Sequence, residues 1–253
     1  MAQPIAVRLA DLTLELCRMP AVTGQEKAIA DQLEPACRAR YGCEVRRIGN
    51  SLVAGHFDDP RPTLLLAGHL DTVPLHPGDP PASIDGERVV GLGSSDMKGG
   101  VAVMLALAEE LELARLPVNL ALVLYDREEG PFDQNGLGLV LSQVPQLRQC
   151  ALAMCLESTD NEVQVGCLGS LHARVTFRGR SAHSARPWQG ENAIHKAAPL
   201  LGELAATGRV RVEVNGFEFF EVVSATQASG GRARNVVPET FEVGSTLESA
   251  PRV

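Results

Sequence analysis

Six residues carry the chemistry that a first reading finds: His69 and Asp71 in GHLD, Asp96 in GLGSSDMKGG, Glu128 and Glu129 in YDREEG, and Glu157 in CLEST. Gathered in one place, five carboxylates and one imidazole would repel one another, and burying an unpaired ion costs about several kcal/mol. A divalent cation among them removes that cost. Zinc takes imidazole nitrogen and carboxylate oxygen, and a two-metal site needs a bridging carboxylate with one or two further ligands on each ion. His69, Asp96, Glu129 and Glu157 are suitable donors. Asp71, two residues beyond His69, is placed to accept the second ring proton and fix the tautomer. Adjacent residues at a strand end point in different directions, so one of Glu128 and Glu129 can bind metal while the other takes a proton from water. Each signal alone has a structural explanation, Asp96 as a helix cap for example; their joint occurrence favours the metal site.

What would position these groups is a set of strands. PTLLLAGHLD, VNLALVLYDREE and CALAMCLES are apolar runs that end in His69, Glu128 and Glu157, and Asp96 opens DMKGGVAVMLALAEELELARL, a predicted helix of about five turns. GLGLVLSQV is a shorter helix. Strands covered on both faces read as continuous apolar runs, and open α/β sheets place their chemistry at the strands' carboxyl ends. Strands alternating with helices imply a mostly parallel sheet with crossover helices. Ahead of these, RLADLTLELCRMP and GQEKAIADQLEPACRARYG read as helices, with Thr23 and Glu26 of TGQE as a capping box, and EVRRIGNSLVAGHF reads as two short strands around Gly49-Asn50.

After about residue 166 the texture changes. GSLHARVTFRGR alternates like an exposed antiparallel strand, and ENAIHKAAPLLGELAATG is a helix. RVRVEVNGFEFF, EVVSATQASGG and ARNVVPETFEV are further strands, with turns at Asn215-Gly216 and Gly230-Gly231. The predicted class is therefore α/β, with a catalytic domain over 1–166 and a smaller α+β domain over 167–253.

The 253 residues are 45% hydrophobic and 21% charged, an ordinary globular mixture. A formal charge of −8 argues against general attraction to nucleic acid or to an anionic membrane. No run approaches the roughly 18 apolar residues of a membrane span, and the N-terminus does not read as a signal peptide, so a cytoplasmic location is the default expectation. The six cysteines are widely spaced with no CxxC pair and read as reduced, buried thiols. GLGSSDMKGG is glycine-rich before a helix but has neither the GxxxxGK[ST] nor the GxGxxG spacing of a phosphate loop.

At GHLDTVP, GLGSSDMKGG, YDREEG and CLEST, and later at GSLHARVTFRGRSAHSARPWQGENAIH and ASGGRARNVVP, the sequence resembles the dinuclear zinc aminoacylase and carboxypeptidase family. The resemblance runs through nearly the whole chain in family order. It implies a zinc-hydrolase catalytic domain and a lid that dimerises. It also implies two zinc ions, or cobalt in their place. His69 and Glu157 would hold one ion, Asp96 would bridge the pair and Glu129 would hold the other. Glu128 would be the general base and Asp71 the partner of His69. In the lid, His183 would reach a partner subunit's site to steady the oxyanion, Asn235 would lie near the substrate, and Arg186 would receive a substrate carboxylate. Gly169 and Ser170 would form the turn that opens the lid.

The implied reaction is hydrolysis of an N-acyl group from a small amino acid. Within the family, SAHSARPWQGENAIHKAAPLL and YDREEGPFDQNGLG look most like succinyl-diaminopimelate desuccinylases, with acetylornithine deacetylases, dipeptidases and carboxypeptidases as alternatives. The implied partners are the N-acyl amino acid and a second copy of the chain, with neither nucleic acid nor membrane. Family members continue beyond the lid to a last metal-binding histidine, whereas none of the six histidines here follows His195. The ending FEVGSTLESAPRV therefore reads as a truncation, with both domains incomplete and an inactive remnant as a further alternative.

Overall fold

In β6, Asn119–Tyr125, successive side chains serve two different layers, which explains why all seven residues are buried. Leu120, Leu122 and Leu124 enter one apolar cluster, whereas Ala121, Val123 and Tyr125 enter another on the opposite face. This is the pattern of a strand covered on both sides. The computed structural model describes residues 3–251, and these divide into two compact units on either side of the Asn161–Glu162 boundary.

The first unit begins with α1 (Ile5–Arg18) and α2 (Lys27–Tyr41). β1 (Val45–Ile48) and β2 (Ser51–Ala54) form a hairpin whose turn, Gly49-Asn50, has Gly49 at φ 63°. There follow β3 (Thr63–His69), a small hairpin of β4 (Ser83–Asp85) and β5 (Arg88–Val90), α3 (Gly99–Glu110), β6, α4 (Gly136–Gln143) and β7 (Leu152–Cys155). The main sheet has the order β1-β2-β6-β3-β7, with β6, β3 and β7 parallel and the β1-β2 hairpin antiparallel to β6. α1, α2 and α3 supply Leu16, Ile29, Leu33, Met104 and Leu105 to the first cluster; α4 and the turn after it supply Val140, Val144 and Leu147 to the second. Each such side chain contributes about 1.5–3 kcal/mol by leaving water.

The second unit is antiparallel. β8 (Gly169–Arg178), β9 (Ala182–His183), α5 (Ala193–Ala206), β10 (Val210–Val214), β11 (Phe217–Gly230), β12 (Val236–Val237) and β13 (Thr240–Ser249) follow in order. The sheet order is β10-β11-β13-β8, and β13 pairs with β8 along ten residues from Thr240↔Arg178 to Ser249↔Gly169. Asn192 caps α5, its Oδ1 accepting from the amides of Ile194 and His195. One face of the sheet packs Phe177, Phe241 and Val243 on Ala193, Ala197, Leu201 and Leu204 of α5. The β10-β11 turn has Asn215 and Gly216 both at positive φ, the conformation that a two-residue hairpin demands.

The expected α/β class is borne out, and the differences from expectation lie in particular elements. The helix beginning at Asp96 is shorter than five turns: Asp96 and Met97 have non-helical backbone inside an irregular turn, Ser94–Lys98, and α3 starts at Gly99. FEFF and EVVSATQASG are one strand, β11, with a register shift between Ala225 and Gln227. Gly169 and Ser170 open β8 instead of forming a turn. β7, one of the sheet's two edge strands, is exposed at every position, whereas β1 at the other edge buries Val45 and Ile48. Cys37 is buried, but Cys17 and Cys150 are half-buried and Cys155 and Cys167 exposed; the Cys43 side chain lies outside the described residues. No helix of the described residues is long and apolar enough to cross a membrane.

Candidate metal centre

β3 delivers His69 to the carboxyl edge of the sheet as a rigid strand end, its ring 1% exposed and set edge-on to Tyr125 at 6.2 Å between centroids. The chain beyond is tied across the strand tips, Leu70 N donating to Tyr125 O at 2.8 Å and Leu156 N to Ala67 O at 3.1 Å. The second of these bonds brings Glu157 alongside the end of β3. Asp96 arrives from the other direction. Side chains at Gly99 and Gly100 would collide with Ser94 O and Leu156 O, so the two glycines of DMKGG let this turn press against the segment before Glu157.

The result is a tight three-residue group. His69 Nε2 lies 2.9 Å from Asp96 Oδ1 and 3.7 Å from Glu157 Oε1, and one donor atom from each residue falls within 4.8 Å of the other two. Ligands about 2.1 Å from a tetrahedral zinc stand about 3.4 Å apart, so the spacing and the nitrogen–oxygen donor set both fit a divalent ion. The electrostatics agree. Burial acts to lower the His69 pKa, but hydrogen bonding to Asp71 and Asp96 and the charge of Glu157 outweigh it and hold the ring up at about 9. A positive charge thus already belongs between these carboxylates. Burial raises the carboxyl of Glu157, opposed by His69 and reinforced by Asp96.

Asp71 does more than its expected task. His69 Nδ1 is 3.0 Å from the Asp71 backbone carbonyl and 3.5 Å from its carboxylate. The fully buried carboxylate takes its shortest hydrogen bonds from Glu128 N at 3.0 Å, Glu129 N at 3.1 Å and the Thr23 hydroxyl at 3.0 Å. Burial acts to raise its pKa, but these bonds and His69 hold it below the usual carboxylate range. Asp71 therefore anchors the loop that carries both glutamates. Glu128 and Glu129 stand outside the three-residue group but within its field: burial and then the Asp96 charge raise the Glu129 carboxyl.

His183, Arg186 and Asn235 come together in the second unit. β9 pairs with β12 through His183↔Val236, Ser184 N donates to Asn235 O at 2.9 Å, and Arg186 N donates to His183 O at 2.8 Å. All three side chains are exposed, and His183 Nδ1 accepts from Ala185 N at 3.1 Å.

Thr23 and Glu26 were read from the sequence as a helix cap, yet Glu26 itself is the first residue of the helical turn and neither side chain caps α2. Thr23 serves Asp71 instead. Glu26, fully buried, accepts from the amides of Gly24 and Arg127 and from Asn50 Nδ2. The TGQE pattern pointed to these residues but to the wrong partners.

Residues 165–251 match the M20 peptidase dimerisation domain, and residues 52–173 match peptidase family M28. The chain is 38% identical over 242 residues to a Mycobacterium tuberculosis protein provisionally named succinyl-diaminopimelate desuccinylase, covering 95% of this chain and 68% of that one. The chain belongs to the M20 family. It is 36% identical over 246 residues to the succinyl-diaminopimelate desuccinylase of Corynebacterium glutamicum, covering 95% and 66% of the two chains, so this M20 chain spans about two thirds of those relatives. Two solved structures share the M20 fold. The M20 metallo-carboxypeptidase Sso-CP2 of Sulfolobus solfataricus has a TM-score of 0.72 at 14% identity, over 97% of this chain and 72% of that one. The dinuclear metal-binding M20 peptidase YXEP of Bacillus subtilis has a TM-score of 0.61 at 14% identity, over 98% and 65%. The M20 family comprises metal-dependent hydrolases of amide bonds, as the sequence resemblance implied.

Proposed function

We propose that this chain carries the hydrolytic centre of a succinyl-diaminopimelate desuccinylase, which splits N-succinyl-LL-2,6-diaminopimelate into succinate and LL-2,6-diaminopimelate. The observation that carries the reading is the His69–Asp96–Glu157 group at the strand ends of a chain 36% identical to an enzyme of that name. His69 and Glu157 would hold one zinc ion, Asp96 would bridge, and Glu129 would hold the second. Bound there, zinc supplies a Lewis acid that polarises the amide carbonyl.

The remaining work belongs to side chains. Glu128 takes a proton from the attacking water and delivers it to the leaving amine, the two-way role of a general acid–base. Asp71 holds Glu128 in place through its amide at 3.0 Å. His183 would reach the partner subunit's site across a homodimer formed by the second unit, Asn235 would lie near the substrate and Arg186 would receive a substrate carboxylate; the match to a dimerisation domain supports the homodimer. Oxyanion stabilisation by His183 requires that partner.

The test is release of a free amine by the purified 253-residue chain supplied with zinc, using N-succinyl-diaminopimelate, N-acetylornithine and a dipeptide in parallel. Preference for the succinyl substrate, abolished by Glu128→Gln, supports the proposal. Preference for the acetyl or peptide substrate assigns the centre to another member of the family, and zinc uptake with no turnover of any of them overturns the catalytic reading.

A further inference from the structure

Arg127 has a φ of 58°, a left-handed conformation that a residue with a side chain adopts only when its surroundings impose it. It sits directly before Glu128 and Glu129, and what imposes the turn is visible. Three successive amides are held by two carboxylates with no solvent exposure: Arg127 N by Glu26 Oε1 at 3.3 Å, Glu128 N by Asp71 Oδ1 at 3.0 Å, and Glu129 N by Asp71 Oδ2 at 3.1 Å. The two anchors are themselves fixed. The same Glu26 oxygen accepts from Gly24 N at 2.5 Å, the other accepts from Asn50 Nδ2 at 3.4 Å, and Asp71 accepts from Thr23. Glu26 thus ties together the start of α2, the β1-β2 turn and the loop after β6.

We propose that Glu26 is a positioning residue for the metal centre, its buried carboxylate holding the Arg127 turn that sets the directions of Glu128 and Glu129. Glu26 touches neither substrate nor metal and acts only through the backbone of that loop. The inference rests on the reading of Glu129 as a metal donor. A carboxylate with no exposure and no ion-pair partner among the described residues is an expensive way to begin a helix, and three donors from separate segments explain its place. With Glu26 gone, Arg127 loses the acceptor that fixes its amide and the turn can relax to the right-handed region.

The experiment compares the wild-type 253-residue chain with Glu26→Ala, Glu26→Gln and Leu147→Ala. Two readouts are used: hydrogen exchange of the peptide containing residues 127–129, without metal, and cobalt(II) binding followed by absorption well below the unfolding temperature. Gln keeps the oxygen that serves Gly24 and Arg127 and loses only the acceptor facing Asn50 Nδ2, so Glu26→Gln should keep the protection of 127–129 and stay within a few-fold of wild-type cobalt affinity. Glu26→Ala should lose protection at 127–129 and bind cobalt about 10–100-fold more weakly, the usual penalty for removing a group that supports a metal ligand. Leu147, in the cluster on the α4 face, controls for general destabilisation: Leu147→Ala should lower the melting temperature with cobalt affinity unchanged. Faster exchange in Glu26→Ala with wild-type cobalt affinity and spectrum would overturn the proposal while leaving the metal centre standing. A wild-type chain that takes up no cobalt would overturn the metal-centre reading, and this assignment with it.

Discussion

At the scale of single residues, the centre depends on carboxylates with unlike duties. Asp96 and Glu157 present oxygens to His69 Nε2 from partly exposed positions, while Asp71 is fully enclosed and spends its oxygens on the glutamate loop. The two kinds should fail differently on mutation. Asp96→Ala removes one of three donors and should abolish tight zinc binding, read by metal content after gel filtration, with little change in the urea midpoint. Asp71→Ala leaves the half-buried amides of Glu128 and Glu129 without their acceptor and should cost about 1–3 kcal/mol in urea denaturation even without metal. Equal stability losses in the two variants would contradict this division. His69, Asp96 and Glu157 could be singled out from the sequence because His69 and Glu157 close or follow apolar runs and Asp96 precedes one. Thr23, Glu26 and Asn50 could not be assigned, because their partners are 48, 101 and 24 residues away and no local pattern encodes such pairings.

At the scale of elements, periodicity located the strands and helices well and their surroundings less well. β3 and β6 are buried as their apolar runs imply, since helices cover both faces of the sheet there. β7 has a similar composition but stands at the edge, and composition does not tell an edge from a centre. The same limit applies to the cysteines. Cys37 lies on the inner face of α2 and its thiol is pushed up to about 11, chiefly by burial, from a value of 9.0, whereas Cys167 precedes β8 in an exposed segment. Because the folded value lies above the unfolded one, the neutral Cys37 thiol contributes its stabilisation fully below pH 9.0, and that contribution is lost as the pH rises through about 11. Iodoacetamide at pH 8 should therefore label Cys167 readily and Cys37 only after denaturant is added, as read by peptide mass spectrometry. Labelling of Cys37 in the native protein would show that α2 opens.

At the scale of the whole molecule, the chain forms two compact units with their own cores. The residues between β7 and β8 belong to no helix or strand, and Val163 and Val165 are 87% and 50% exposed. Dilute thermolysin should cut first in this segment and leave two fragments that resist further digestion, read by intact mass. First cuts inside β3 or β6 would argue against a stable first unit.

The ladder between β8 and β13 has a consequence in time. Gly169 is bound to Ser249, 80 residues further along the chain, and β13 fills the position between β8 and β11. At a synthesis rate of about 5–20 residues per second, Gly169 is made roughly 4–16 s before Ser249. During that interval the backbone donors and acceptors of β8 face water or any other unpaired strand nearby. In the first unit β3 waits as long for one partner, since Leu64 pairs with Leu152, although β6 covers its other edge sooner through Thr63↔Asn119. Both halves of this polypeptide therefore hold an unpaired strand edge while they are being made, and crowding among nascent chains threatens each.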